Sequence, residues 1–129
     1  MLKEQLNQLY EEYGYRKFRM SKFEDYDLYA QNKDFLKKGH IITFTDGDGS
    51  LKALKPDITL SIMKSNGGDS EKVYYNENVC REVGGAFREI LQVGVESVGQ
   101  IDPYAEAEVI ALAARSLEQR SPKYVLALS

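Results

Sequence analysis

Two β-prone runs, "KVYYNENV" (72–79) and "AFREILQVGVESVG" (86–99), stand on either side of the pair Gly84-Gly85. Tyrosine, valine and isoleucine favour strands, and two glycines between two such runs form a tight reversal. This is the strongest constraint on the fold, because a long hairpin needs other elements to cover at least one of its faces. The helices that can do so flank it in sequence. Leu2, Leu6, Leu9, Tyr10 and Tyr13 recur at helical spacing, with Gly14 as a C-terminal stop. A second helix opens at Asp102-Pro103, an N-cap followed by proline at the first helical position. Glu106 and Glu108 sit in its early turns, Arg115 and Arg120 near its end, and Ala105, Val109, Leu112, Ala113 and Leu117 form its apolar stripe.

Between the first helix and the long hairpin the pattern is more broken. "YRKFRM" alternates weakly as a strand, and 23–38 is mixed, with Phe23, Tyr26 and Tyr29 able to pack and a turn around Asn32. "HIITFT" and "SLKALK" flank Asp46-Gly47-Asp48-Gly49 and predict a second, shorter hairpin. A short helix is expected from Pro56 through "DITLSIMKS". "KYVLALS" at 123–129 predicts a further strand, which as a last element reads as an edge strand or a truncated domain. The expected class is α+β with a mostly antiparallel sheet, as one domain over 1–129.

Composition narrows the function classes. A net charge of −3 and the absence of any Lys/Arg run longer than Lys37-Lys38 argue against a nucleic-acid-binding surface. A single cysteine, Cys80, excludes an internal disulfide and suits a reducing cytoplasm, where it packs as a small hydrophobe. The polar start "MLKEQLNQLY" is no signal peptide, and no apolar run approaches the length of a membrane span. One histidine, His40, without a second ligand at a suitable spacing, leaves no metal site or hydrolytic triad to assemble, and no cofactor is expected. The nine tyrosines read as core and sheet residues rather than a platform for bases.

The acidic turn "DGDGSLKALKPD" puts Asp46, Asp48, Ser50 and Asp57 at positions one, three, five and twelve of a calcium loop. Position six, which must be glycine, is Leu51, so the turn reads as hairpin geometry. In "REILQVGVESVG" strand parity sends Leu91, Val93 and Val95 one way and Arg88, Gln92, Gly94 and Glu96 the other. Such a polar face is either half solvated or a binding surface, with Gly94 leaving room for a ligand. A carboxylate, an amide and a guanidinium together suit a zwitterion. Glu96 then takes an ammonium or imidazole N–H and an arginine takes a carboxylate, either Arg88 on the same face or, as second candidate, Arg81 at the end of the preceding strand; Asp57 and Thr59 are further acceptors for an amino group.

These residues also carry a resemblance. "LKALKPDIT", "YYNENVCRE" and "FREILQVGVESVGQIDPYAEAEVIALAARSLE" resemble signature segments of histidyl-tRNA synthetases and of their paralogue, the regulatory subunit of ATP phosphoribosyltransferase. "YGYRKFRMSKFEDYDLYAQNKDFL" is similar to the dimer-forming first motif, closer to the regulatory subunit. The likeness runs over nearly the whole chain in a consistent order. It implies a class II aminoacyl-tRNA synthetase-like antiparallel sheet flanked by helices, truncated. It also implies a histidine pocket: Asp57 and Thr59 at the amino group, Arg81 as the second-motif arginine, and Gln92 and Glu96 lining the site. Some positions depart from the synthetase pattern. The Arg81–Phe87 connection is shorter, Val83 replaces a glutamate, Ala86 stands where an arginine contacts ATP, and Met20-Ser21 replaces a proline. The third motif and an anticodon-binding domain have no counterpart. The resemblance, with these departures, implies a non-catalytic regulatory subunit. Such a subunit acts through a catalytic ATP phosphoribosyltransferase subunit, in the first step of histidine biosynthesis, and senses histidine in feedback as a cytoplasmic homodimer. Two alternatives stand beside it: a fragment of a histidyl-tRNA synthetase catalytic domain, and a dimerisation module without a ligand.

Overall fold

The computed structural model of the chain describes residues 1–32 and 41–128. His40, Lys37-Lys38 and the latter part of 23–38 lie outside the described residues. The element order is α1 (Leu2–Glu12), β1 (Arg16–Lys17), β2 (Phe23–Asp25), α2 (Tyr26–Ala30), β3 (Thr43–Thr45), β4 (Leu51–Leu54), α3 (Thr59–Ser65), β5 (Glu71–Val83), β6 (Ala86–Val98) and α4 (Pro103–Arg120). Two compact units divide it: Met1–Phe18 with Ser65–Asn76 and Val93–Ser129, and Arg19–Lys64 with Glu77–Gln92.

A three-stranded sheet runs in the order β1-β5-β6, of which β1, the start of β5 up to Asn76 and the end of β6 from Val93 belong to the first unit. Gly84 and Gly85 join β5 to β6 at φ of 59° and 84°, the left-handed pair that a two-residue hairpin turn demands. β1 runs parallel to β5, with Arg16 opposite Val73 and Lys17 opposite Tyr74. α1 and α4 supply the cover: Leu6, Leu9, Tyr10, Tyr15, Tyr74 and Leu112 form one buried cluster, with Val95 packed against it. Tyr10 and Tyr74 can be core residues here because their hydroxyls find partners at its margin. The Tyr10 ring lies tilted against Tyr74, with centroids 5.6 Å apart, and its hydroxyl shares a 2.7 Å hydrogen bond with Ser116, while the Tyr74 hydroxyl donates to Glu11. Lys72 ties the unit together by donating to the Tyr13 carbonyl at 2.6 Å, pairing with Glu108 at 2.8 Å and lying over the Tyr15 ring. Asp102 caps α4 by accepting from the Ala105 amide at 2.7 Å, as the Asp-Pro start predicts.

The second unit is built on an antiparallel sheet in the order β2-β4-β3, with Tyr29, Ala53 and Leu60 at its core. The β3–β4 turn uses its acids locally. Asp46 accepts from the Gly47 amide at 2.8 Å, and Asp48 accepts from the Ser50 amide at 2.9 Å and the Ser50 hydroxyl at 2.6 Å. Their oxygens close a turn, which is the hairpin reading, and among the described residues no group of acids, His or Cys could hold a metal ion.

Two elements depart from expectation. α3 begins at Thr59, not Pro56, because the Asp57 carboxylate accepts from the Ile58 and Thr59 amides and holds the chain in a side-chain-closed turn ahead of the helix. Residues 122–128 form no strand. Val125 and Leu128 are 88% and 67% exposed, so the segment pairs with no strand among the described residues and is left uncovered there. β-prone side chains alone do not hold a strand.

Candidate functional site

Four of the five candidate residues, Asp57, Thr59, Arg81 and Gln92, lie in the second unit, and Glu96 lies in the first. Pro56 and Asp57 leave the sheet at the end of β4, and β5 is fastened to this point by the Cys80 amide, which donates to the Lys55 carbonyl at 2.9 Å. That bond carries Arg81 to Asp57. The Arg81 Nε donates to the Pro56 carbonyl at 2.7 Å, and its Nη2 faces Asp57 Oδ2 at 3.6 Å. Asp57 spends its other oxygen on the Ile58 and Thr59 amides, so the carboxylate, the guanidinium and Thr59 form one local constellation. The pair is loose and partly solvated, with side chains 23% and 43% exposed. A ligand carrying both an ammonium and a carboxylate can enter between them and leave no charge uncompensated.

Gln92 supplies a different signal. Its Oε1 is buried and has no hydrogen-bond partner. An orphan buried acceptor costs about 1–3 kcal/mol, and a ligand N–H removes that cost. Gln92 and Glu96 are four residues apart on the continuous strand β6, and so share a face. The opposite, apolar face is the more open one, with Leu91 and Val93 54% and 38% exposed. Gly94 between them does not leave free space for a ligand. A Cβ there would stand 2.6 Å from the Tyr75 hydroxyl, so the phenol from the neighbouring strand fills the place of the missing side chain. Glu96 lines a groove with α4 in its own unit.

Sequence reasoning missed three polar groups in the second unit. Tyr29 is 1% exposed and Ser61 3%, and their hydroxyls find no hydrogen-bond partner beyond an interaction with each other. Burial pushes the Tyr29 phenol well above the usual tyrosine range, and the Glu24 and Asp57 carboxylates push it the same way against the opposing Ser61 hydroxyl. Lys55 is 4% exposed; burial pulls its ammonium below the usual lysine range, opposed by Glu24 and Glu77. The alternation in "SLKALK" gives no hint of this, because a lysine at a strand end normally reaches water. The Gln92 orphan acceptor thus falls in the unit that carries Asp57, Thr59 and Arg81.

The family model for histidyl-tRNA synthetase matches residues 1–129. The chain belongs to the histidyl-tRNA synthetase family. Within it, the chain is 31% identical over 117 residues to the histidine–tRNA ligase of Methanocaldococcus jannaschii, covering 84% of this chain and 28% of the ligase. It is 33% identical over 113 residues to the ATP phosphoribosyltransferase regulatory subunit of Oceanobacillus iheyensis, covering 82% and 27%. Among solved structures, an ATP phosphoribosyltransferase regulatory subunit/histidyl-tRNA synthetase from Bacillus halodurans superposes with a TM-score of 0.77 at 24% identity, covering 93% of this chain and 33% of that one. The apo histidyl-tRNA synthetase of Staphylococcus aureus superposes with a TM-score of 0.75 at 28% identity, covering 95% and 30%. The fold is therefore that of the class II synthetase-like domain of this family, in part, since the chain spans less than a third of the curated relatives it matches. Both branches of the family, ligase and regulatory paralogue, are similar to it to nearly the same degree.

Proposed function

We propose that the chain is a non-catalytic, histidine-sensing regulator that acts through a catalytic ATP phosphoribosyltransferase subunit. The observation that carries the non-catalytic part is the β5–β6 connection. It is a two-residue glycine turn flanked by Val83 and Ala86, with Val83 and Phe87 exposed beside it. Such a turn is short for cradling a triphosphate, and the nearby Arg81 is held by Pro56 and Asp57. The regulatory relative from Oceanobacillus iheyensis supports the partner, beside ligase relatives of nearly the same similarity.

Histidine is the proposed ligand. Its ammonium meets Asp57 and Thr59, its carboxylate meets Arg81, and its imidazole N–H reaches the orphan Gln92 Oε1. Feedback requires histidine to bind one state of the regulated assembly more tightly than the other. Isothermal titration of the chain with histidine tests the reading. Saturable heat that is absent with alanine is expected, and no heat at millimolar histidine removes the sensor. Histidine-dependent ATP–pyrophosphate exchange would instead place the chain with the synthetases.

A further inference from the structure

Lys55 is a lysine in the interior of the second unit, 4% exposed. It follows the last residue of β4, and its amide extends the β2–β4 ladder by donating to the Lys22 carbonyl at 3.0 Å. Glu24 lies opposite Ala53 in that ladder, and Ala53, two residues before Lys55, is fully buried. Strand parity therefore puts Lys55 and Glu24 on one inward face. Glu24 also accepts from the Lys64 ammonium of α3 at 2.7 Å, and its side chain is 15% exposed. The Lys55 ammonium is attracted by Glu24 from β2 and by Glu77 from β5, and repelled by Lys64. The same residue carries the tie to β5, because its carbonyl accepts from the Cys80 amide at 2.9 Å. The next residue on each side of that bond belongs to the candidate site. Arg81 follows Cys80, and Pro56, whose carbonyl takes the Arg81 Nε–H at 2.7 Å, follows Lys55. An apolar side chain of similar length would fill this interior at lower cost, since a buried charge must be compensated.

We infer that Lys55 is a positioning residue: its buried ammonium, between Glu24 of β2 and Glu77 of β5, clamps the β4–β5 junction and so holds Arg81 against Pro56 and Asp57. β2 and β5 belong to different sheets. One cation attracted to a carboxylate on each of them opposes their separation at the point where Cys80 bonds to Lys55. Without it that junction is left to main-chain bonds, and the reach of Arg81 toward Asp57 widens. This holds whichever ligand enters the constellation.

Hydrogen exchange followed by NMR in the ligand-free chain tests it at two protons, the Cys80 amide and the Arg81 Nε–H. The reference is the Leu54 amide, which bonds to the Ile42 carbonyl on the other side of β4. Lys55→Met should speed exchange at both protons by about tenfold or more relative to Leu54, with the thermal midpoint kept within about 3 °C. Lys55→Arg, which keeps the charge, should leave both near wild type. Glu77→Gln, at a partly exposed side chain, should speed the Cys80 amide in the same direction, and it decides the matter if Lys55→Met does not fold. Unchanged exchange in the deciding variant overturns the inference, as does equal loss in Lys55→Arg. A fallen midpoint with uniformly faster exchange also overturns it, because Lys55 then serves general packing. Where the wild type gives heat with histidine, Lys55→Met should weaken that binding by about tenfold, and unchanged affinity would count against the clamp. A wild type silent to histidine removes the sensor reading and leaves the exchange rates to decide the role of Lys55.

Discussion

Arg81 and Asp57 neutralise one another in the structure, and Gln92 Oε1 bonds to nothing. The difference gives each residue a distinct expectation. Gln92→Leu keeps the approximate shape of the side chain and removes the orphan acceptor. It should leave the ligand-free chain as stable as before or more so, while costing about 1–3 kcal/mol of histidine affinity. Chemical denaturation and titration calorimetry on the same variant measure the two effects, and a loss of stability with unchanged affinity would make Gln92 a packing residue. Tyr15 gives a pH expectation. Burial, helped by Glu108, raises its phenol to about 12 from an ordinary 10.0. The folded state then holds a proton that the unfolded state has lost. Its contribution is fully present below pH 10 and disappears as pH rises toward about 12. Denaturant midpoints of wild type and Tyr15→Phe across that window should converge on, or cross in favour of, the variant. Parallel curves would show that Tyr15 has no part in alkaline loss of stability.

At the scale of elements, the long hairpin and α4 were legible in the sequence because each carries its own punctuation. Gly84-Gly85 permits one kind of reversal, and Asp102-Pro103 supplies both cap and first helical residue. The start of α3 was not legible, since it depends on which amides the Asp57 carboxylate chooses, and a Pro-Asp neighbourhood is compatible with either register. The strand expected at 123–129 failed for a non-local reason: a strand exists only with a partner. Among the candidate site residues, parity on β6 placed Gln92 and Glu96 on one face, but only the three-dimensional contact brings Arg81 to Asp57. The burial of Lys55, Tyr29 and Ser61 likewise depends on packing that no local pattern records. Glycine substitutions separate two kinds of close approach. Gly99 has φ of 106°, and a Cβ there would stand 2.6 Å from the Ser70 Cα, a backbone atom; at Gly94 the obstacle is the far end of the Tyr75 side chain. Gly99→Ala should therefore cost about 2 kcal/mol or more, and Gly94→Ala less, because the phenol can swing aside. Thermal unfolding of both variants ranks them, and the reverse order would mean that the Ser70 segment yields more easily than the Tyr75 ring.

For the whole molecule, the class II synthetase-like fold accounts for a chain with a first helix, a long hairpin closed by a glycine turn, and a following helix. The proposed function is that such a chain governs a catalytic partner and performs no adenylation. The most direct measurement is the rate of ATP and phosphoribosyl pyrophosphate condensation by a purified catalytic ATP phosphoribosyltransferase subunit, with this chain added, across a histidine titration. The expected result is a rate that depends on the chain and falls as histidine rises, with the fall blunted in Gln92→Leu. A rate indifferent to the chain and to histidine, together with histidine-dependent ATP–pyrophosphate exchange by the chain itself, would contradict it.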